Sequence, residues 1–181
     1  VGFALPGQQV RVASEDGVVV PTGEVGMIEV AGPNVFQGYW RMPEKTAEEV
    51  RPDGFFITGD LGVQAADGRL SIVGRSKDLV ISGGYNVYPK EVEVALDEMP
   101  QVAESAVIGV PHPDFGEAVV AVVVPAGDEV TQADVDAALG DQLARFKQPK
   151  RVLNVAELPR NTMGKVQKNL LRDQHGDLFA S

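Results

Sequence analysis

Glycine and proline cut this chain into short pieces. It holds 20 glycines and 12 prolines in 181 residues, about 18% of the chain against the roughly 12% usual in proteins. Glycine reaches turn conformations that other residues avoid, and proline removes a backbone donor. The apolar runs between these breaks suit short strands better than long helices. Over residues 1–74 such runs fall at Gln9–Ala13, 17–20, Val25–Ala31, 55–61 and 69–73. Turn signals separate them: Glu15-Asp16-Gly17, Pro21-Thr22-Gly23, Asp53-Gly54 and Asp67-Gly68. That spacing predicts a β-rich, barrel-like subdomain. A single short helix is expected over 43–50, opened by Pro43 at its first position.

The character changes at Gly74-Arg75-Ser76-Lys77-Asp78, a short charged stretch between apolar runs. Residues 75–78 read as a hinge, and 79–181 as a small α+β domain. Gly83-Gly84 joins two short strands, 79–82 and 86–88, as a hairpin. Helices are expected over 89–99, 131–146 and 166–172, and strands over 102–110, 118–125 and 151–155. In the helix 131–146, Thr131 and Asp134 have the spacing of a capping box, and Val135, Leu139, Leu143 and Phe146 form its apolar stripe. The fold class is therefore α+β.

Composition removes several function classes. The formal charge is −10, opposite in sign to what phosphate-neutralising nucleic-acid binders and polybasic membrane tethers need. Cysteine is absent, which excludes disulfides, thiolate catalysis and cysteine–zinc sites. No apolar run is long enough to span a bilayer. The first residues lack a basic start and a cleavage site. Cytoplasmic residence is the expectation, and a chain opening on Val1 reads as a piece of a longer protein. Walker A, dinucleotide and nucleophile-elbow patterns fail. No metal site is expected, and His112 in Pro111-His112-Pro113 reads as a loop residue.

Three segments have residues suited to chemistry, each with a plainer alternative. Thr58-Gly59-Asp60 ends an aromatic-apolar run; its carboxylate suits a ribose diol, or simply caps a turn. Arg75 and Lys77 lie just before the diglycine tip at Gly83-Gly84. The Arg75 guanidinium suits ribose or phosphate oxygens and the diglycine allows close backbone approach, or else the charges form a solvated cluster beside an ordinary hairpin. Leu158-Pro159-Arg160-Asn161-Thr162-Met163-Gly164-Lys165 reads as a mobile loop ending in a lysine. That lysine can neutralise charge developing on a phosphoryl or carboxylate oxygen, or merely solubilise.

The order of these segments carries more than each alone. Tyr39-Trp40, Gly54-Phe55-Phe56-Ile57-Thr58-Gly59-Asp60, Gly74-Arg75-Ser76-Lys77-Asp78, Ser82-Gly83-Gly84-Tyr85-Asn86-Val87-Tyr88-Pro89 and Pro159-Arg160-Asn161-Thr162-Met163-Gly164-Lys165 together resemble the C-terminal third of adenylate-forming enzymes. That superfamily includes acyl-CoA synthetases, peptide-synthetase adenylation domains and luciferases. The segments 32–43 and 161–168 are most similar to its malonate-activating members.

The resemblance implies a fold and a reaction. Residues 1–74 would end a large N-terminal domain, 75–78 would be the hinge, and 79–181 a mobile C-terminal domain. A carboxylate, with malonate favoured, would attack the α-phosphate of Mg2+-bound ATP. The thiol of coenzyme A would then take the acyl group from AMP. Lys165 would be the catalytic residue, and Asp60, Arg75 and Thr58 would bind the nucleotide. Lys77 would be the pivot, and Gly83 and Gly84 would line the channel for coenzyme A. Acylation of Lys165 would switch the enzyme off. Fatty-acid or aryl-acid CoA ligases and adenylation domains share these motifs, and an interaction or nucleotide-binding module is the non-enzyme alternative. The family's phosphate loop and most of its acid pocket lie upstream of Val1, so the chain by itself is expected to be inactive.

Overall fold

The computed structural model describes residues 2–180. The chain divides into two compact units, one running to Lys77 and the other starting at Asp78.

The first unit is a four-stranded antiparallel meander in the order β1-β2-β3-β4. Its strands are β1 (Gln9–Ala13), β2 (Val25–Ala31), β3 (Phe56–Gln64) and β4 (Leu70–Arg75). The described strands make an open sheet, so the barrel-like expectation reduces to a sheet that does not close. The 17–20 run forms no strand, only a bridge between Ala13 and Val19. Helix α1 (Pro43–Glu49) begins at Pro43 as expected, and none of its residues is buried.

Glu29 stands out in β2. It is fully buried beside Ile28, at a place where burying a lone charge is very costly. Two guanidiniums solve this. Arg11 Nε donates to Glu29 Oε2 at 2.7 Å and Arg51 Nε to Oε1 at 2.9 Å. Arg11 also pairs with Asp53 at 2.6 Å and lies 3.8 Å from the Phe55 ring centroid. The network fastens the turn before β3 to β1 and β2.

The second unit is a five-stranded sheet built on β8 (Gly116–Pro125). Along one edge β8 pairs antiparallel with β7 (Val102–His112). Along the other it meets β5 (Val80–Ser82) at Gly116, then runs parallel to β9 (Arg151–Asn154). The short β6 (Tyr85–Val87) closes a hairpin with β5. The near-continuous apolar runs of β7 and β8 have a simple cause, because both faces of the sheet are covered. Successive strand residues point to opposite faces. Val107, Val119, Ala121 and Val123 pack with Val92, Leu96, Val135 and Leu139 of α2 (Pro89–Asp97) and α3 (Gln132–Leu139). Ala106, Ile108, Val120 and Val122 pack instead with Leu158 and with Leu171 of α4 (Lys168–His175).

Helix α3 is shorter than its apolar stripe predicts. It stops at Leu139, with Gly140 as its C-cap. Leu143 and Phe146 still pack against the same core, carried there by turns. At its other end the capping box is complete: Thr131 Oγ1 accepts from Asp134 N–H, and Asp134 accepts from Thr131 N–H. His112 is the last residue of β7. Its Nδ1 accepts from Asp114 N–H at 3.1 Å and its ring stacks on Phe115.

Candidate functional site

Thr58, Asp60 and Arg75 come together in the first unit. Between β2 and β3 the register slips: Met27 faces Leu61, yet Glu29 faces Ile57. Residues 58–60 therefore bulge opposite Ile28 alone. A bulge of this kind re-aims side chains. Gly59 makes it feasible, with φ at +75°, where an L side chain would be strained. Thr58 pins the bulge. Its hydroxyl donates to the Ile28 carbonyl at 2.8 Å and accepts the Asp60 N–H at 3.1 Å.

Asp60 then faces Arg75 across β3 and β4. Arg75 Nε lies 2.8 Å from Asp60 Oδ1, with Arg75 half exposed and Asp60 less so. Among the described residues Oδ2 has no hydrogen-bond donor. The pair thus offers an open acceptor beside an open guanidinium edge. Asp60 and Thr58 also border a groove of about 310 Å3 whose other walls include Phe3, Val10, Ile28, Val30 and Ile72. A mostly apolar groove with a few polar side chains, Gln8, Asn34 and Gln64 beside Thr58 and Asp60, suits a flat ring attached to a diol.

Lys77 sits in a single 3-10 turn, Ser76–Asp78, directly after β4. Its side chain is exposed, and among the described residues it pairs with no carboxylate.

In the second unit Gly83 and Gly84 form the two-residue tip between β5 and β6, with φ of +58° and +82°. Positive φ at both positions marks the hairpin turn matched to strand twist. Gly83 N–H donates to the Phe115 carbonyl at 2.9 Å. Buried Ser82 anchors the tip, while the tip itself is exposed.

Lys165 lies in a loop more closed than its composition suggests. Asn161 Oδ1 accepts from the N–H groups of Met163 and Lys165, both at 3.0 Å. Asn161 N–H donates to the Lys165 carbonyl at 2.9 Å, and Arg160 bridges to Val166. The result is a small hairpin with an exposed Lys165 near its tip. Among the described residues no carboxylate pairs with the Lys165 ammonium, so its charge is available to a ligand.

Residues 91–165 match the AMP-binding enzyme C-terminal domain. The chain carries an AMP-binding enzyme C-terminal domain. It is 47% identical over 168 residues to the feruloyl-CoA synthase of an Amycolatopsis species, covering 92% of this chain and 34% of that protein. It is 44% identical over 172 residues to the indoleacetate–CoA ligase of Aromatoleum aromaticum, covering 94% of this chain and 34% of the ligase. Among solved structures, ATP-bound MatB from Rhodopseudomonas palustris superposes with a TM-score of 0.94. It is 61% identical, covering 99% of this chain and 36% of that one. The chain thus spans about a third of the length of these relatives. The α+β reading agrees with these AMP-binding structures.

Sequence reasoning missed the polar groups that support the domain. Glu29 was visible as a lone charge inside Met27-Ile28-Glu29-Val30. Buried Glu93 and its partner Lys168 were hidden in runs of ordinary helix-surface charges. Among the described residues no cluster of three or more His, Asp or Glu has the arrangement of a metal site. Among the described residues no helix is long and apolar enough to cross a membrane.

Proposed function

We propose that this chain is the C-terminal part of an AMP-forming acyl-CoA ligase and that its acid substrate is malonate. In the first step a carboxylate oxygen attacks the α-phosphorus of ATP, whose Mg2+ arrives with the nucleotide. The bond to pyrophosphate breaks and acyl-AMP remains. In the second step the sulfur of coenzyme A attacks the acyl carbon. The thiol proton is lost and the bond to AMP breaks.

Each assigned residue has a physical role in that scheme. Asp60 accepts hydrogen bonds from the ribose hydroxyls through its open carboxylate edge. Arg75 holds Asp60 in place and offers its remaining N–H groups to ribose oxygens, and Thr58 keeps the bulge in shape. Lys165 supplies positive charge to the carboxylate and α-phosphate oxygens as negative charge accumulates there. Lys77 is the pivot about which residues 79–181 move as a domain after adenylation, withdrawing Lys165 and bringing Gly83 and Gly84 to the pantetheine arm of coenzyme A. A gating motion of this type lets one site serve two reactions in turn.

The observation that carries the reading is the Lys165 hairpin: an exposed, carboxylate-free ammonium on a braced turn. The choice of malonate draws support from the 61% identity to MatB, a malonyl-CoA synthetase. The aromatic-acid ligases among the relatives favour a second reading in which an aryl acid takes malonate's place.

The test is ATP–pyrophosphate exchange by the complete protein over a panel of malonate, ferulate, indoleacetate and a fatty acid. Malonate is expected to dominate, and an aryl acid turning over faster transfers the assignment to the second reading. Lys165→Ala is expected to slow acyl-AMP formation by about 10²–10³, with thioester formation from supplied acyl-AMP retained. Unchanged adenylation in that variant removes Lys165 from the mechanism. The 181-residue chain alone is expected to give no exchange.

A further inference from the structure

We infer that α4 is a positioning strut for Lys165, tied down through Lys168 and Arg172. The inference rests on the proposed role of Lys165 in adenylation.

Lys165 is useful only if its ammonium arrives at one place, and a hairpin braced only by its own turn would pivot at its base. The structure fastens both legs. On the entry side Arg160 pairs with Glu104 of β7 and also donates to the Gly164 carbonyl at 2.5 Å. On the exit side Gln167 N–H donates to the Pro159 carbonyl at 2.8 Å, and the chain then enters α4 at Lys168. Lys168 Nζ lies 2.5 Å from Oε1 of Glu93, with Lys168 only 17% and Glu93 only 8% exposed. The same Oε1 accepts the Val107 N–H at 3.0 Å. The exit leg is thereby anchored to α2 and to the edge strand β7 at once.

One turn further along α4, Arg172 faces Asp78 at 3.1 Å. Residues four apart share a helix face, so Lys168 and Arg172 grip two carboxylates from one side of the helix. Asp78 is the first residue of the second unit. Buried Leu171 holds the helix to the sheet. Helix α4 thus links the residue beside the pivot to the leg of the hairpin that bears Lys165. Both pairs are largely shielded from water, and they resist screening better than surface pairs do.

A purely structural role for these pairs would lower stability and slow both half-reactions alike. A positioning role separates them, since only adenylation needs the Lys165 ammonium in place. In the complete protein, Lys168→Met is expected to slow ATP–pyrophosphate exchange about ten-fold or more, in line with the cost of sub-ångström misplacement at a reacting centre. Thioester formation from supplied acyl-AMP should change less than about two-fold over the same comparison. Lys168→Arg, which keeps a cation for Glu93, should restore exchange. Arg172→Gln should weaken exchange in the same direction while Glu93–Lys168 stays intact. Hydrogen exchange supplies a readout independent of activity: Lys168→Met should raise amide exchange at Met163 and Lys165, leaving β7 and β8 protected. Equal loss in both half-reactions, or wild-type protection of the hairpin in Lys168→Met, overturns the inference. A wild-type protein that adenylates no acid fails the ligase reading instead, and the hydrogen-exchange result still decides whether α4 braces the hairpin.

Discussion

Replacing Glu29 by glutamine tests the polar core of the first unit most directly. The amide keeps the shape of the carboxylate but removes its charge, leaving Arg11 and Arg51 around a neutral group. Breaking a buried ion pair from one side costs about 3–5 kcal/mol, because the remaining charge is stranded. Here the stranded cations are Arg11 and Arg51, with side chains 17% and 22% exposed, while Glu29 is fully buried. Arg11 also keeps Asp53, and Arg51 keeps the Glu15 carbonyl at 2.7 Å. Those residual partners and partial access to water place the expected loss near the lower end, about 3 kcal/mol. The assay is urea unfolding of the wild type and Glu29→Gln, followed by hydrogen exchange at β1, β2 and β3 amides so that the first unit is read by itself. The midpoint should fall with little change in slope, and moderate salt should not abolish the difference, since a buried pair is weakly screened. A loss below about 1 kcal/mol, the value of an exposed pair, would refute the argument that this carboxylate is held in a desolvated network.

Three further outcomes follow from the geometry. Gly59→Ala should cost about 1–2 kcal/mol from backbone strain alone, because an added Cβ would meet only Arg75 Nη1 at 3.8 Å; it should weaken nucleotide binding by moving Asp60, as isothermal titration of the complete protein can check. Hydrogen bonds from the Thr131 hydroxyl, and then from its backbone N–H, hold the Asp134 carboxyl below its ordinary 3.8, so the folded state binds fewer protons than the unfolded chain there. The cap's contribution is full above 3.8 and lost as pH falls through the lowered folded value; α3 amide protection should decline on that acidification, and Asp134→Asn should remove the dependence. Lys77→Pro should slow thioester formation more than adenylation in the complete protein, since proline locks φ at the proposed pivot; equal slowing of both steps would argue against a hinge at that residue.

What the sequence revealed and what it hid divide along a physical line. Short-range chemistry was legible. The capping box at Thr131 and Asp134 and the diglycine tip at Gly83-Gly84 each involve neighbours a few residues apart. Their residue types state the backbone conformation they need. Thr58-Gly59-Asp60, by contrast, reads as a strand end or turn but is a bulge inside β3 set by its cross-strand register. Periodicity was legible only up to the point where the chain leaves its helix. Leu143 and Phe146 continue the α3 spacing and, partly buried, pack on the same core, so the stripe identified core-facing residues while placing the helix end at Phe146 instead of Leu139. The charged partners were not legible, because their pairing is long-range: Glu29 and Arg51 are 22 residues apart, and Arg172 and Asp78 are 94 apart.

That division bears on how the two kinds of charge in this chain are used. The ion pairs of Glu29, Glu93 and Asp78 join strands and helices distant in sequence, and their partners neutralise them within the fold. Lys165 and the open edge of Asp60 lack such closure. On the proposed reading, a fold that compensates the shielded charges of Glu29, Glu93 and Asp78 leaves the exposed Lys165 ammonium and the open edge of the Asp60 carboxylate to groups that the substrate supplies. An ammonium already paired to a protein carboxylate would have to break that bond before it could stabilise a phosphoryl oxygen, and it would lose in ground-state stability what it gained at the reacting centre. Leaving Lys165 unpaired avoids that loss, and the bracing by Lys168 and Arg172 supplies the orientation that a partner would otherwise have provided.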